Sequence, residues 1–186
     1  MGKIVVTEFV SLDGVMEDPG GSEGFKYGGW TFEIPRGEEG DRFKLDETMA
    51  SDALLLGRVT YEGFAAAWPS REGEFADKFN QMPKYVVSST LDDPEWENST
   101  VLRGDLAQEV EQVKARHDGD VVVHGSAQLV QGLLERDLVD ELRLMVFPVV
   151  LGAGKPLFGE TRDKKRLQLV DSKTVGEGVA ILVYRR

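Results

Sequence analysis

Short apolar runs punctuate this chain, and several of them end at a glycine or a hydroxyl residue. Ile4-Val5-Val6 centres a first strand over Lys3 to Val10. Ala53 to Leu56 shows no polar alternation at all, which suits a strand buried on both faces. Tyr85-Val86-Val87 within Lys84 to Ser88, and Val121-Val122-Val123 within Asp120 to His124, have the same character. Thr100-Val101-Leu102 is a smaller strand. Between these runs the apolar spacing turns helical. Glu38 to Ser51 predicts a helix with Phe43, Leu45 and Met49 as core contacts and Asp41, Asp46, Glu47 and Asp52 on its solvated face, unless one of these acids points into the cleft. Val59 to Trp68 and Glu72 to Gln81 follow, the second stopped by Pro83. Asp105 opens a further helix, with Gln108 as its capping-box partner and Leu106, Val110 and Val113 on one face. Ala127 to Asp137 carries Leu129, Val130, Leu133 and Leu134 on one side. Glu141 to Leu151 reads as one long strand in which Pro148 marks an edge or a bulge. Arg166 to Val175 and Val179 to Tyr184 form a hairpin across Gly176-Glu177-Gly178.

Strands and helices alternate first, and strands dominate the end. That order predicts a three-layer α-β-α architecture around a mixed, mostly parallel sheet of about eight strands, closed by an antiparallel C-terminal hairpin. There is no internal repeat or linker, so residues 1–186 read as one domain. Val15 to Glu38 fits neither period. It holds six Gly and two Pro, interrupted by Phe25, Tyr27, Trp30 and Phe32. Four aromatics argue against disorder. The segment reads as a flap over a flat ligand, or as a patch packed on the core or on another subunit.

Composition narrows the partners. Asp and Glu outnumber Lys and Arg by 33 to 22, for a formal net charge of −11. Such a chain repels nucleic acid and anionic membranes, and neither is expected as a partner. No apolar run approaches the roughly 18 residues of a membrane span. The absence of cysteine excludes disulfides and thiolate chemistry and fits a cytoplasmic protein. With two histidines and no cysteine, no metal site is expected. His117 reads as a favourable charge at a helix C-terminus.

An anionic ligand would need positive charge and free amides gathered in one place, and the strand ends offer both. Gly57-Arg58-Val59-Thr60 joins a buried strand to a helix N-terminus, where amides and dipole favour an anion and Arg58 can bind phosphate bidentately. Ser88-Ser89-Thr90 ends the next strand with hydroxyls and no acid, which favours a phosphorylated ribose over a free one; a hydroxyl-rich turn is the alternative. Gly125-Ser126-Ala127-Gln128-Leu129 repeats the strand–glycine–helix design and lacks a capping-box acid. His124 before it is either a buried neutral histidine or faces the ligand. Asp13, in Ser11-Leu12-Asp13-Gly14, is either a turn residue or a carboxylate at the mouth of the sheet. Gly152 to Gly159 has neither G-x-G-x-x-G spacing nor the Ser/Thr of a P-loop.

In that order and spacing, Gly57-Arg58-Val59-Thr60, Ser88-Ser89-Thr90 and Gly125-Ser126-Ala127 resemble the NADPH-binding signature of the dihydrofolate reductase fold. Ser11-Leu12-Asp13-Gly14, Trp30, Leu138-Val139-Asp140-Glu141-Leu142 and Pro148-Val149-Val150-Leu151-Gly152 are similar to the RibD C-terminal domain family, the reductase half of the riboflavin-biosynthesis deaminase–reductase. The resemblance spans nearly the whole chain. It implies a homodimeric NADPH-dependent reductase of a small heterocycle, like 5-amino-6-(5-phosphoribosylamino)uracil. The alternatives are a dihydrofolate or pterin reductase and a non-catalytic NADPH-binding protein. By that resemblance Arg58, Thr60, Ser88 and Ser89 would hold the adenosine phosphates, and Gly125 to Leu129 the pyrophosphate. Asp13 would lie beside nicotinamide and substrate, and as the catalytic group would deliver a proton or grip a ring N–H, with a raised pKa or acting through a water. Trp30 would flank the substrate. The chain lacks the His/Cys ligands of a zinc deaminase half. His124 stands where the riboflavin reductases tend to carry an acid. The acid that grips the pterin in dihydrofolate reductases has only Asp41 or Glu47 as a counterpart.

Overall fold

A computed structural model describes residues 1–186. Eight strands form one sheet: β1 (Lys3–Ser11), β2 (Ser51–Gly57), β3 (Lys84–Val87), β4 (Ser99–Leu102), β5 (Asp120–Val123), β6 (Glu141–Phe147), β7 (Gln168–Val175) and β8 (Val179–Arg185). Their order is β4-β3-β2-β5-β1-β6-β8-β7. The first six in that order run parallel, and β8 and β7 turn the edge antiparallel. The helices are α1 (Gly37–Ala50), α2 (Arg58–Ala67), α3 (Glu74–Gln81), α4 (Leu106–Arg116) and α5 (Ala127–Glu135).

The central strands are apolar on both faces because both are covered. On one side Ile4, Val6, Leu55, Val121 and Val123 pack with Val110 and Val113 of α4 and Val130 and Leu133 of α5. On the other, Val5, Leu54, Leu56 and Val122 meet Tyr61 of α2, Phe79 of α3 and Trp96. A third cluster at the antiparallel edge joins Trp30, Met145, Phe147, Val175, Val179 and Ile181.

Several local expectations change. The inward face of α1 is polar: Lys44, Glu47 and Thr48 are buried, whereas Met49 is 41% exposed. Phe43 does pack against the third cluster. Buried charge needs partners, and here α1, β1, β5 and β6 supply them. Lys44 Nζ donates to Thr7 Oγ1 at 2.9 Å and to Glu47 Oε1 at 2.6 Å. Arg143 bonds Glu47 at 3.3 Å, Asp120 at 2.9 Å and Glu141 at 2.6 Å. Glu47 is therefore not on a solvated face.

The long strand expected to Leu151 stops at Phe147, because Pro148 has no N–H to continue the ladder. Asp105 caps α4 as expected, accepting from Ala107 and Gln108 N–H. The return bond comes from Glu109 rather than Gln108, accepting Gly104 N–H at 2.9 Å. His117 ends α4 in a hydrogen bond with Tyr85 Oη at 2.9 Å. The segment from Val15 to Glu38 folds around two anchors. Buried Asp18 accepts from the N–H groups of Ser22, Glu23 and Phe25, and Trp30 Nε1 donates to Glu17 O at 2.9 Å.

Candidate functional site

The parallel strands all end on one edge of the sheet, so β3, β2, β5 and β1 deliver their C-terminal residues side by side, about 4.8 Å apart. Between β2 and β5 the backbones touch. Gly57 N–H donates to Gly125 O at 3.0 Å. A Cβ on Gly57 would stand 2.9 Å from Ser126 N and closer still to Ser126 Oγ. Glycine is required there by proximity, not by its φ of −77°. Gly125 has a φ of 123°, and a Cβ there would meet Thr60 Oγ1 at 2.8 Å. Each glycine leads into a helix whose N-cap residue, Gly57 for α2 and Ser126 for α5, makes no side-chain cap. The first amides of both helices therefore keep their hydrogen-bonding capacity, under a dipole that favours anions.

Arg58 is the first residue of α2, and its guanidinium spans to the neighbouring strand end. Nη1 donates to Thr90 Oγ1 at 2.6 Å, and Nε to Glu62 Oε1 at 2.9 Å. Ser88 Oγ accepts from Thr90 N–H at 3.2 Å and Leu91 N–H at 3.0 Å, which fixes the turn. A second guanidinium, absent from the sequence reading, closes the far side. Arg103, just after β4, donates to Ser89 O at 3.1 Å and to Leu91 O. The turn after β3 is thus flanked by two cations in an acidic protein. The signal for Arg103 was its place directly after a strand, like Arg58.

Of the other expected cofactor residues, Val59 and Gln128 are exposed and Ala127 is half-buried. Leu129 points into the core, so only its backbone faces the groove.

Asp13 is held as a carboxylate, so its pKa is not raised. Its carboxylate accepts from Ser11 Oγ at 2.6 Å, Leu151 N–H at 3.1 Å and Gly152 N–H at 2.9 Å. These bonds, the serine hydroxyl foremost, hold its pKa down to about 2, against the raised value expected of an acid catalyst. Asp13 fastens the end of β1 to the segment after β6. Trp30 is likewise a core residue. Its ring is 1% exposed and meets Phe147 edge-on with centroids 5.5 Å apart. The expected open face beside a substrate is missing, because the ring is consumed by the third cluster.

His124 follows β5 on the α1 side of the sheet. Its half-buried ring lies 5.5 Å from Phe79 and 6.0 Å from Phe64, centroid to centroid. Burial first, then the Lys44 ammonium, lower its pKa to about 3, so the ring is neutral. The ring thus lies half-buried beside Phe64, Phe79 and the Lys44–Glu47 pair.

Glu8 stands out only once the strands are paired. It lies near the C-terminal end of β1 and is 7% exposed. Its Oε1 has no hydrogen-bond partner. Oε1 stands 3.8 Å from the point a Cβ on Gly125 would occupy, and Met16 Cε stands 3.6 Å from the same point. Burial raises the Glu8 pKa well above the usual carboxylate range, with Glu47 adding to the effect and Lys44 opposing it. A glutamate within a mostly buried strand was the available signal.

A surface cleft of about 720 Å³ lies elsewhere, between α2 and residues 91–97. Glu62, Asp93, Glu95 and Glu97 line it, so it has the wrong sign for a phosphate.

Known proteins resemble this chain in sequence and fold. YyaP, an uncharacterized protein of Bacillus subtilis (strain 168), is 30% identical, with 98% of this chain and 94% of YyaP aligned. A putative riboflavin biosynthesis protein from Shewanella sp. PV-4 superposes with a TM-score of 0.81 at 24% identity, covering 99% of this chain and 98% of that one. Acinetobacter baumannii RibD gives 0.68 at 17% identity, covering all of this chain but 58% of RibD. Enterococcus faecalis dihydrofolate reductase, solved with NADP(H), gives 0.60 at 16% identity, covering 99% and 96%. The fold is therefore dihydrofolate reductase-like. The model of the RibD C-terminal domain matches residues 2–181, and the chain belongs to that family.

Proposed function

We propose that this protein is an NADPH-dependent reductase that transfers hydride to a small heterocycle, of the riboflavin-biosynthesis reductase type. The observation that carries this reading is the row of strand ends. Arg58 and Arg103 flank the hydroxyl turn after β3, and Gly57 and Gly125 bring two uncapped helix N-termini together. A dinucleotide with a 2′-phosphate needs two such features: cations and hydroxyls at its adenosine end, and close backbone amides at its pyrophosphate. Arg58, Arg103, Thr90 and Ser88 suit the first. Gly57, Thr60 and Gly125 to Leu129 suit the second. The cofactor supplies the hydride, and the chain binds it, orients it and excludes water.

The pterin alternative is weakened by α1. Of the two acids considered there, Asp41 is exposed and Glu47 is held by Lys44 and Arg143. Neither is free to grip a pterin ring. The test is a screen of ribosylamino-pyrimidines and pterins for oxidation of NADPH, followed by absorbance. Oxidation driven by a ribosylamino-pyrimidine supports the reading. NADPH that binds but is oxidised by no heterocycle contradicts it and favours a binding protein.

A further inference from the structure

Glu8 is the one acid inside the groove that no protein group satisfies. Its strand, β1, pairs with β5 in the register Val6↔Val123, and two more residues bring Glu8 alongside Gly125. Glu8 is 7% exposed as a residue, and its buried Oε1 has no partner, so that oxygen neither reaches bulk water nor bonds within the Lys44–Glu47–Arg143 network. An orphaned buried polar atom is costly, and a ligand that supplies its partner removes the cost.

The strand order says which part of the ligand arrives there. The inference rests on the reductase reading. With the adenosine phosphate at the turn after β3 and the pyrophosphate between β2 and β5, the next strand along the edge is β1. The group reaching β1 is the nicotinamide end. We propose that Glu8 binds the nicotinamide carboxamide of the cofactor through its unpartnered carboxyl oxygen. Shape and charge agree with this. A carboxamide presents a donor beside an acceptor, and a carboxylic acid presents the complementary pair. The burial that favours the protonated form of Glu8 favours an O–H donor there. A carboxylate would serve the amide N–H alone and would repel the nearby phosphates.

The test is fluorescence titration of wild type, Glu8→Gln and Glu8→Leu with two probes, NADPH and adenosine 2′,5′-bisphosphate. The second probe carries the phosphates and lacks the nicotinamide. Glu8→Leu is expected to weaken NADPH about tenfold, and Glu8→Gln, which keeps a donor and an acceptor, by less than about threefold. Adenosine 2′,5′-bisphosphate is expected to bind all three proteins alike, which also reports that the variants fold. Unchanged NADPH affinity in Glu8→Leu overturns the assignment while leaving the reductase reading intact. Equal weakening of both probes overturns it too, by showing a structural role. Failure of wild type to bind NADPH at all overturns the reductase reading itself, and this inference with it.

Discussion

Gly57 and Ser126 are packed so closely that the first cannot carry a side chain. Gly57 N–H bonds the carbonyl of Gly125, and a Cβ on Gly57 would lie 2.9 Å from Ser126 N. Two strand–helix corners distant in sequence are thereby locked at backbone contact. Gly57→Ala should push them apart, costing roughly 1–3 kcal/mol as an overpacked contact does. Thermal melts should show the loss, and NADPH affinity should fall further than the melt alone accounts for. Unchanged NADPH binding would mean that the corner is only structural.

Arg58 reaches Thr90 across the gap between β2 and β3. A charge-assisted bond to phosphate contributes about 1.5–3 kcal/mol, so Arg58→Ala should weaken NADPH roughly ten- to a hundredfold. NADH binding should change much less, which a paired titration would show. Arg103→Ala should act in the same direction. Equal losses for both nucleotides would remove the ribose phosphate from this turn.

Asp13 fastens Leu151 and Gly152 to the end of β1. Its folded pKa of about 2 lies below its ordinary value near 3.8. The carboxylate's contribution to stability is thus complete above about pH 4 and is lost as pH falls towards 2. Asp13→Asn should lower the melting temperature at neutral pH, and the gap to wild type should close in acid. A gap that stays constant down to pH 2 would contradict the assignment of Asp13 as a charged fastener.

Glu8 has the opposite sign. Its folded pKa is raised, so its protonated form is fully compatible with folding below the ordinary glutamate range. As pH rises above that range the unfolded chain releases the proton more readily, and stability falls. Glu8→Gln should therefore gain on wild type in denaturant unfolding as pH rises above the ordinary glutamate range. A difference independent of pH would mean that Glu8 is ionised in the fold.

Lys84 is fully buried, with its three N–H groups on the carbonyls of Asn80, Met82 and Glu97 and its ammonium 4.3 Å from the Trp96 ring centroid. Lys84→Met would leave three acceptors stranded. A loss of about 2–4 kcal/mol is expected from chemical denaturation, since each unsatisfied buried group costs about 1 or more. NADPH affinity should be unaffected, because Lys84 lies at the opposite end of β3 from Ser88.

The architecture was legible because the central parallel strands declare themselves as short apolar runs, several of them followed closely by a glycine or hydroxyl that local chemistry explains. Arg58, Gly57 and Gly125 could be found from such punctuation. What the sequence hid depends on register between distant segments. Glu8 becomes notable only once β1 is laid against β5 and Gly125 is its neighbour. Arg103 needs β4 beside β3 to reach the Ser88 turn. Asp13 changes meaning because its partners lie 138 and 139 residues away. The polar face of α1 defeated the periodicity argument for a similar reason. Lys44 and Glu47 are buried by partners on β1 and β6, which no local window contains.

The central claim is that the row of strand ends holds a 2′-phosphorylated nicotinamide dinucleotide. Fluorescence titration of the wild-type protein with NADPH and NADH side by side tests it most directly. The account predicts saturable binding with a clear preference for NADPH that Arg58→Ala removes. Binding of neither nucleotide, or equal binding of both with no effect of the arginine, would contradict it.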